Sequence, residues 1–369
     1  VGSFFGEELR YPFVGEVGRA AGRQLYQRRR DRFAYWAGQG RDFTHVLLPL
    51  DEESVELTLA GRIGEPGNLT VFGVGFANHT LHFPGYPGDV EVAHGGNFDR
   101  TEPADSGIAG ALAAQTRFSS GTRVNLLFGQ RNIHFVRRQG LDALTGVQDV
   151  PVGFELALTL GRSIGSFSFD DDEPDDLYTR IRLFQGVGTG PLLLNLSAGW
   201  EAREVFSGGR AGRGWKDIIG ELDGILYWQP EALTAHTLFA RLAASGGWKM
   251  TLPFQLSLGG STGVRGYPEE TWPGARRVVL TAEDRLYVPW PAPRLFDFGF
   301  TFFGDAGRMW PGDVPFGTAS GWRGAVGAGL RFGFPAGSRG VVRLDLAFPV
   351  DRARAGDPIL RLALVDVVG

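Results

Sequence analysis

From about residue 43 to the C-terminus, apolar and polar side chains alternate with a period of two in one short segment after another. A residue at every second position of a strand lies on the same face, so this pattern describes sheets with one apolar and one polar surface. Val55, Leu57 and Leu59 stand against Glu56 and Thr58. Phe154, Leu156, Leu158 and Leu160 stand against Glu155 and Thr159. Similar segments recur at 71–76, 111–118, 124–135, 177–184, 192–201, 218–228, 238–244, 322–334, 341–348 and 359–367. The count is about sixteen strands, separated by glycine- and proline-rich connections. No run of ~18 apolar residues exists that could form a membrane-crossing helix, yet 43% of the chain is hydrophobic. Strands facing lipid on one side and a polar lumen on the other give this dispersed hydrophobicity. A soluble sandwich would alternate in the same way, but so many strands in one run with short connections favour closure. The expected fold is therefore all-β: a transmembrane antiparallel β-barrel.

The most ordered stretch is 249–310. Leu252, Phe254, Leu256 and Leu258 alternate as a strand would, and a loop, Gly260-Ser261-Thr262-Gly263-Val264-Arg265-Gly266-Tyr267-Pro268, follows them. A second strand carries Thr281, Glu283, Arg285 and Tyr287 on one face. In a third, Phe296, Phe298, Phe300 and Phe302 form one face, which places Asp297, Thr301, Phe303, Asp305 and Gly307 on the other. Alternation predicts the four phenylalanines in lipid and Asp305 in the lumen.

Val264-Arg265-Gly266-Tyr267 resembles the loop motif of the Omp85 superfamily, and Phe303-Gly304-Asp305-Ala306-Gly307 resembles its F-x-D-x-G strand motif. The resemblance is sharp over about residues 250–310 and architectural elsewhere. It implies a loop folded back from the extracellular side into the lumen, with Arg265 paired to Asp305 and Glu283 as the next candidate partner. It also implies residence in the bacterial outer membrane and contact with its lipids and lipopolysaccharide. The implied work is insertion or translocation of unfolded outer-membrane or secreted proteins, or of lipids, across the outer membrane. Two other readings stand beside it: a passive pore or structural barrel, and the membrane anchor of a patatin-like lipase domain.

Residues 1–42 do not alternate. Arg19, Arg23, Arg28, Arg29, Arg30 and Arg32, mixed with Leu25, Phe33 and Trp36, read as a basic helix or linker, a periplasmic segment ahead of a barrel at 43–369. In the Omp85 family soluble POTRA domains precede the barrel, and 1–42 is too short to be one. The chain opens on Val1 with no leader-like segment, as expected of a processed chain or a fragment. Long connections are expected at 78–108, 137–151, 165–176, 203–215 and 305–320. The 260–276 loop reads as extracellular and 289–294 and 335–338 as periplasmic turns, while the parity of sides fails near 165–215. The final strand, ending Val367-Val368-Gly369, is expected to close on the first.

Nothing in the sequence points to catalysis. Gly161-Arg162-Ser163-Ile164-Gly165 matches G-x-S-x-G but ends a strand with no helix after it. The six histidines lack metal-ligand spacing, and cysteine is absent. The acidic run 170–176 lacks the spaced ligands of a calcium loop and reads as solvated. Lys+Arg 37 against Asp+Glu 41 argues against nucleic acid as a partner. No cofactor, metal or enzymatic activity is expected.

Overall fold

The computed structural model describes residues 2–366 apart from 14–17, 39–43, 96, 165–172, 209–211, 270, 291 and 351–356. The acidic residues Asp170, Asp171 and Asp172, and Val367, Val368 and Gly369 at the expected closing seam, lie outside the described residues.

The described chain is nearly all strand. In order it runs β1 (Ser3–Tyr11), β2 (Ala20–Ala37), β3 (Thr44–Glu65), β4 (Asn68–His82), β5 (Glu91–His94), β6 (Thr101–Pro103), α1 (Ser106–Gln115), β7 (Ser119–Arg138), β8 (Gln148–Ser163) and β9 (Asp175–Thr189). It continues with β10 (Leu192–Ser207), β11 (Gly214–Trp228), β12 (His236–Trp248), β13 (Arg276–Val288), β14 (Asp297–Trp310), β15 (Gly321–Gly333), β16 (Gly340–Pro349) and β17 (Ile359–Asp366). All seventeen strands belong to one sheet, and every ladder is antiparallel between chain neighbours except where β4 pairs β7 and β3 pairs β5. There β5 and β6 leave the wall to make a small flap on the upper part of β3.

Alternation decides which face turns inward. Along β14 the odd-numbered residues are buried and the even-numbered ones are not, so Phe302 is 56% exposed while Phe303 is 5% exposed. Leu57, Leu59, Phe72, Val74, Leu126 and Phe128 continue the outer apolar band on β3, β4 and β7. The inner face carries cross-strand ion pairs such as Arg180–Glu201 and Arg241–Asp223. Several strands are far longer than the roughly 9–11 residues that cross a bilayer. The surplus is on one side: Thr44–Leu50 of β3 packs into a cap with Tyr35, Leu81, Phe83, Val90, Val92 and Leu112.

The structure departs from the sequence expectation at four places. Within 1–42, Ser3–Tyr11 and Ala20–Ala37 do not stand outside the sheet as a helix or linker, because they are the wall strands β1 and β2. The arginines of β2 lie in register with Asp51, Glu52 and Glu53 of β3, a complement distant in sequence. Residues 111–118 are not a strand: the alanine-rich run Ser106–Gln115 is a helix, with Asp105 accepting the Ile108 amide as N-cap. Residues 252–258 alternate but do not join the wall as a strand; Leu256 N bonds Gly274 O and Leu258 N bonds Thr271 O within the loop, while Leu252 N is held by the Asp217 carboxylate of β11. Finally, no ladder joins β17 to β1 among the described residues. Fourteen antiparallel steps separate these two strands, so they run in the same direction and direct closure would need a parallel pairing.

The wall has a loop side and a turn side. β8 leads to β9, β10 to β11, β12 to β13 and β14 to β15 at the loop-side ends of these strands, which resolves the parity around 165–215. The turns at 66–67 and 190–191 and the 289–296 and 334–339 connections lie on the turn side. So does 139–147, which is not one of the loop-side insertions.

Candidate functional site: an arginine lock inside the barrel

The 249–275 segment folds inward from the loop side. Its outer part is tied to the far wall by Gln255, which accepts the Trp36 amide of β2 at 2.7 Å and donates to Trp36 O at 3.0 Å. Its tip is the Val264-Arg265-Gly266-Tyr267 stretch. Leu258, Val264, Tyr267 and Trp272 form an apolar cluster with Val279, Met309 and Ala325 of the wall. Hydrophobic burial thus holds the loop in place, while one charged side chain sets its register.

Arg265 is that side chain, with only 7% of its surface exposed. Its Nε donates to Asp305 Oδ2 at 2.8 Å and its Nη2 to Asp305 Oδ1 at 2.9 Å, a two-point fork. Its Nη1 donates to Glu283 Oε1 at 2.8 Å and to Asp345 Oδ2 at 3.2 Å. Asp305 also accepts the Arg265 backbone amide and the Thr281 hydroxyl. The guanidinium lies 3.6 Å from the centre of the Phe303 ring, within cation–π range.

The two motifs meet residue by residue. The inward positions of β14 are Phe303, Asp305 and Gly307, which give Arg265 a stacking face, give it a carboxylate, and leave room for Val264. A Cβ at Gly307 would lie 2.8 Å from Val264 Cγ2, and one at Gly266 would lie 2.7 Å from Ala325 Cβ. Close approach of loop to wall explains both glycines. Tyr267 donates its hydroxyl to Gly324 O at 3.2 Å and meets Trp272 edge-on.

Glu283 is the hub of a wider network. Its Oε1 accepts from Arg265 and from Arg343 at 3.2 Å; its Oε2 accepts from Arg285 at 2.8 Å and from Arg331 at 3.3 Å. Arg361 of β17 donates to the carbonyls of Arg265 and Tyr267. Alternation within 322–334, 341–348 and 359–367 turns Arg331, Arg343, Asp345 and Arg361 inward. It does not reveal that Asp345 is a third carboxylate on Arg265, because that depends on how far the loop descends.

One partner is missed altogether. Arg285 Nη1 donates to Asp142 Oδ1 at 2.9 Å and to Leu141 O at 3.0 Å, both in the turn-side 139–147 connection. Burial pushes the Asp142 carboxyl up, but Arg285, Tyr227 and Arg331 outweigh it and hold the carboxyl below its ordinary range. The available signal is composition: Leu141, Ala143 and Leu144 are apolar in a segment that would be polar if it ran over the surface.

Among the described residues no group of three or more histidines and carboxylates is arranged to hold a metal ion. No described helix is long and apolar enough to cross a membrane, which says nothing about strands.

Residues 233–364, which contain the inward loop and the strands that hold it, match the Omp85 superfamily domain. This part of the chain is an Omp85 superfamily domain. Its place is accordingly the bacterial outer membrane. Among solved structures, CdiB from Escherichia coli is similar at a TM-score of 0.43 and 10% identity, covering 98% of this chain and 62% of that one. CdiB from Acinetobacter baumannii is similar at a TM-score of 0.39 and 11% identity, covering 98% and 59%. The chain thus spans about three-fifths of the length of these proteins. No curated protein matches the chain.

Proposed function

We propose that this Omp85 barrel moves polypeptide into or across the outer membrane, with the 249–275 loop as a displaceable occupant of the lumen and membrane lipids or lipopolysaccharide around its wall. The observation that carries this reading is the polar nature of the lock. A lumen meant to stay sealed is filled at least as stably by apolar side chains, since replacing a buried ion-pair cluster with well-packed hydrophobic residues is often neutral or stabilising. Arg265 among three carboxylates is instead an arrangement that water or a polar substrate can replace. A permanently open pore fits less well, because the cap around Tyr35 and Leu112 and the loop around Leu258 and Val264 both occupy the interior.

The test uses the absence of native cysteine. Val264→Cys combined with Gly307→Cys places two thiols where the loop touches the wall, so oxidation tethers the loop. In vesicles containing the barrel and an unfolded outer-membrane or secreted polypeptide, oxidation is expected to stop insertion or passage and reduction to restore it. Equal transport by the oxidised and reduced forms would overturn the reading.

A further inference from the structure

The 139–147 connection has no part in the lock motifs, yet it is built as an interior element. Leu141, Ala143 and Leu144 are buried at 3%, 0% and 8% exposure. It joins β7 to β8 but touches the opposite wall: Tyr227 of β11 donates to Asp142 Oδ2 at 2.6 Å, and Thr237 of β12 donates to Gly140 O at 2.6 Å. Thr145 donates to Asp297 Oδ2 of β14 at 2.6 Å, and Gln229 donates to Gln139 O at 2.7 Å. On its own side, Gln148 accepts the amides of Asp142 and Ala143. A connection that reaches β11–β14 from β7 crosses the mouth of the lumen. Its carbonyls and amides are taken by wall side chains rather than by water, as an inserted segment requires. Gly299 on the inner face of β14 lies where a Cβ would be 2.7 Å from Leu144 Cδ2, so the wall is relieved at the point of contact.

We infer that residues 139–147 are a second plug, closing the turn side of the lumen, and that it is energetically tied to the loop-side lock through the chain Asp142–Arg285–Glu283–Arg265. Each link is a direct bond: 2.9 Å from Arg285 to Asp142, 2.8 Å from Arg285 to Glu283 and 2.8 Å from Arg265 to Glu283. Arg285 is buried, and its guanidinium lies 3.9 Å from the Phe239 ring centre. Withdrawal of 139–147 removes two of its acceptors, Asp142 and Leu141 O. A buried guanidinium left short of acceptors turns toward water, which weakens its hold on Glu283 and so the anchorage of Arg265. A cavity of about 440 Å3 between the plug and residues 229–237 gives the plug room to move. Loosening at the turn side is thereby transmitted to the loop side, and by linkage the reverse also holds. The inference concerns the resting barrel and stands whatever passes through it.

The experiment is conductance of the full chain in planar bilayers, combined with labelling of a reporter cysteine replacing Leu258, which is fully buried in the loop-side cluster. Two variants are compared with the otherwise unchanged reporter chain: Asp142→Asn, which removes charge without changing shape, and replacement of 140–146 by a glycine-serine linker. Both must retain the compact, fast-migrating form on unheated gels. Conductance is expected to rise in both, and labelling of the reporter by a membrane-impermeant maleimide to accelerate at least about five-fold, the lower end of ordinary coupling between sites. Unchanged conductance in the linker variant would overturn the plug. Raised conductance with unchanged labelling would overturn the coupling.

Discussion

Arg265 satisfies three carboxylates at once, and the geometry of its head group is what permits it. The planar fork reaches Asp305 with two parallel bonds and turns its remaining nitrogen to Glu283 and Asp345. A lysine ammonium is a point charge and cannot hold that arrangement. Arg265→Ala leaves Asp305, with its side chain fully buried, facing only the Thr281 hydroxyl and the loop amide, so the expected loss of barrel stability is about 3–5 kcal/mol. Arg265→Lys retains the charge but loses the fork, and the expected loss is about 1–3 kcal/mol. The midpoint of the heat-induced gel shift measures both. Equal midpoints for the two variants would show that charge alone, without the fork, holds the loop. The contact of Arg265 with Asp305 is legible in the sequence because each lies in a motif and alternation puts Asp305 inside. The third carboxylate is not legible, because Asp345 is two strands away and nothing local announces it.

At the scale of the element, period-two alternation places the outer face of β14 without ambiguity. Phe298 and Phe300 meet edge-on at 5.2 Å on that face, and Phe302 beside them stands clear of the wall. Phe302 is near the middle of its strand, so Phe302→Arg should cost about 2–4 kcal/mol, as a guanidinium does near the bilayer midplane. A measured cost below about 1 kcal/mol would move this position to the membrane interface. The same rule misleads where burial has another source. Leu252, Leu256 and Leu258 alternate because a folded-in loop also has an inner and an outer side, and only hydrogen-bond partners separate such a loop from a wall strand. The charged strand β2 escapes notice for the opposite reason: Arg28 and Arg30 both reach Asp51, so its exposed length is held by ion pairs to β3 and shows no apolar face. The helix at Ser106–Gln115 is legible from its alanines, once the preceding Asp105 is recognised as a cap.

For the whole molecule, the consequential feature is that among the described residues the sheet has two edges. β1 is exposed along its length, including Phe4, Phe5 and Leu9, and Leu360, Leu362 and Leu364 of β17 are 64–76% exposed. The other wall strands are bonded on both sides, whereas β1 pairs only β2 and β17 pairs only β16 among the described residues. Backbone groups left unpaired in hydrocarbon cost several kcal/mol each, so this is where the wall is weakest and where another strand would be taken up most readily. Because β1 and β17 run in the same direction, a strand antiparallel to one is antiparallel to the other, and a single such strand would satisfy both. The lock lies against the same region: Arg361 of β17 holds the carbonyls of Arg265 and Tyr267, so the weak edge and the lumenal loop share a residue. Amide hydrogen exchange in mild detergent should therefore find the unpaired amides of β1 and β17 exchanging near the rate of open chain, while β13 and β14, bonded on both sides, stay protected. Arg361→Ala should leave the exchange of β13 unchanged and speed that of the 260–269 segment. Protection of β1 and β17 equal to that of β14 would mean that the two edges are paired in solution, and the seam would then be no weaker than the rest of the wall.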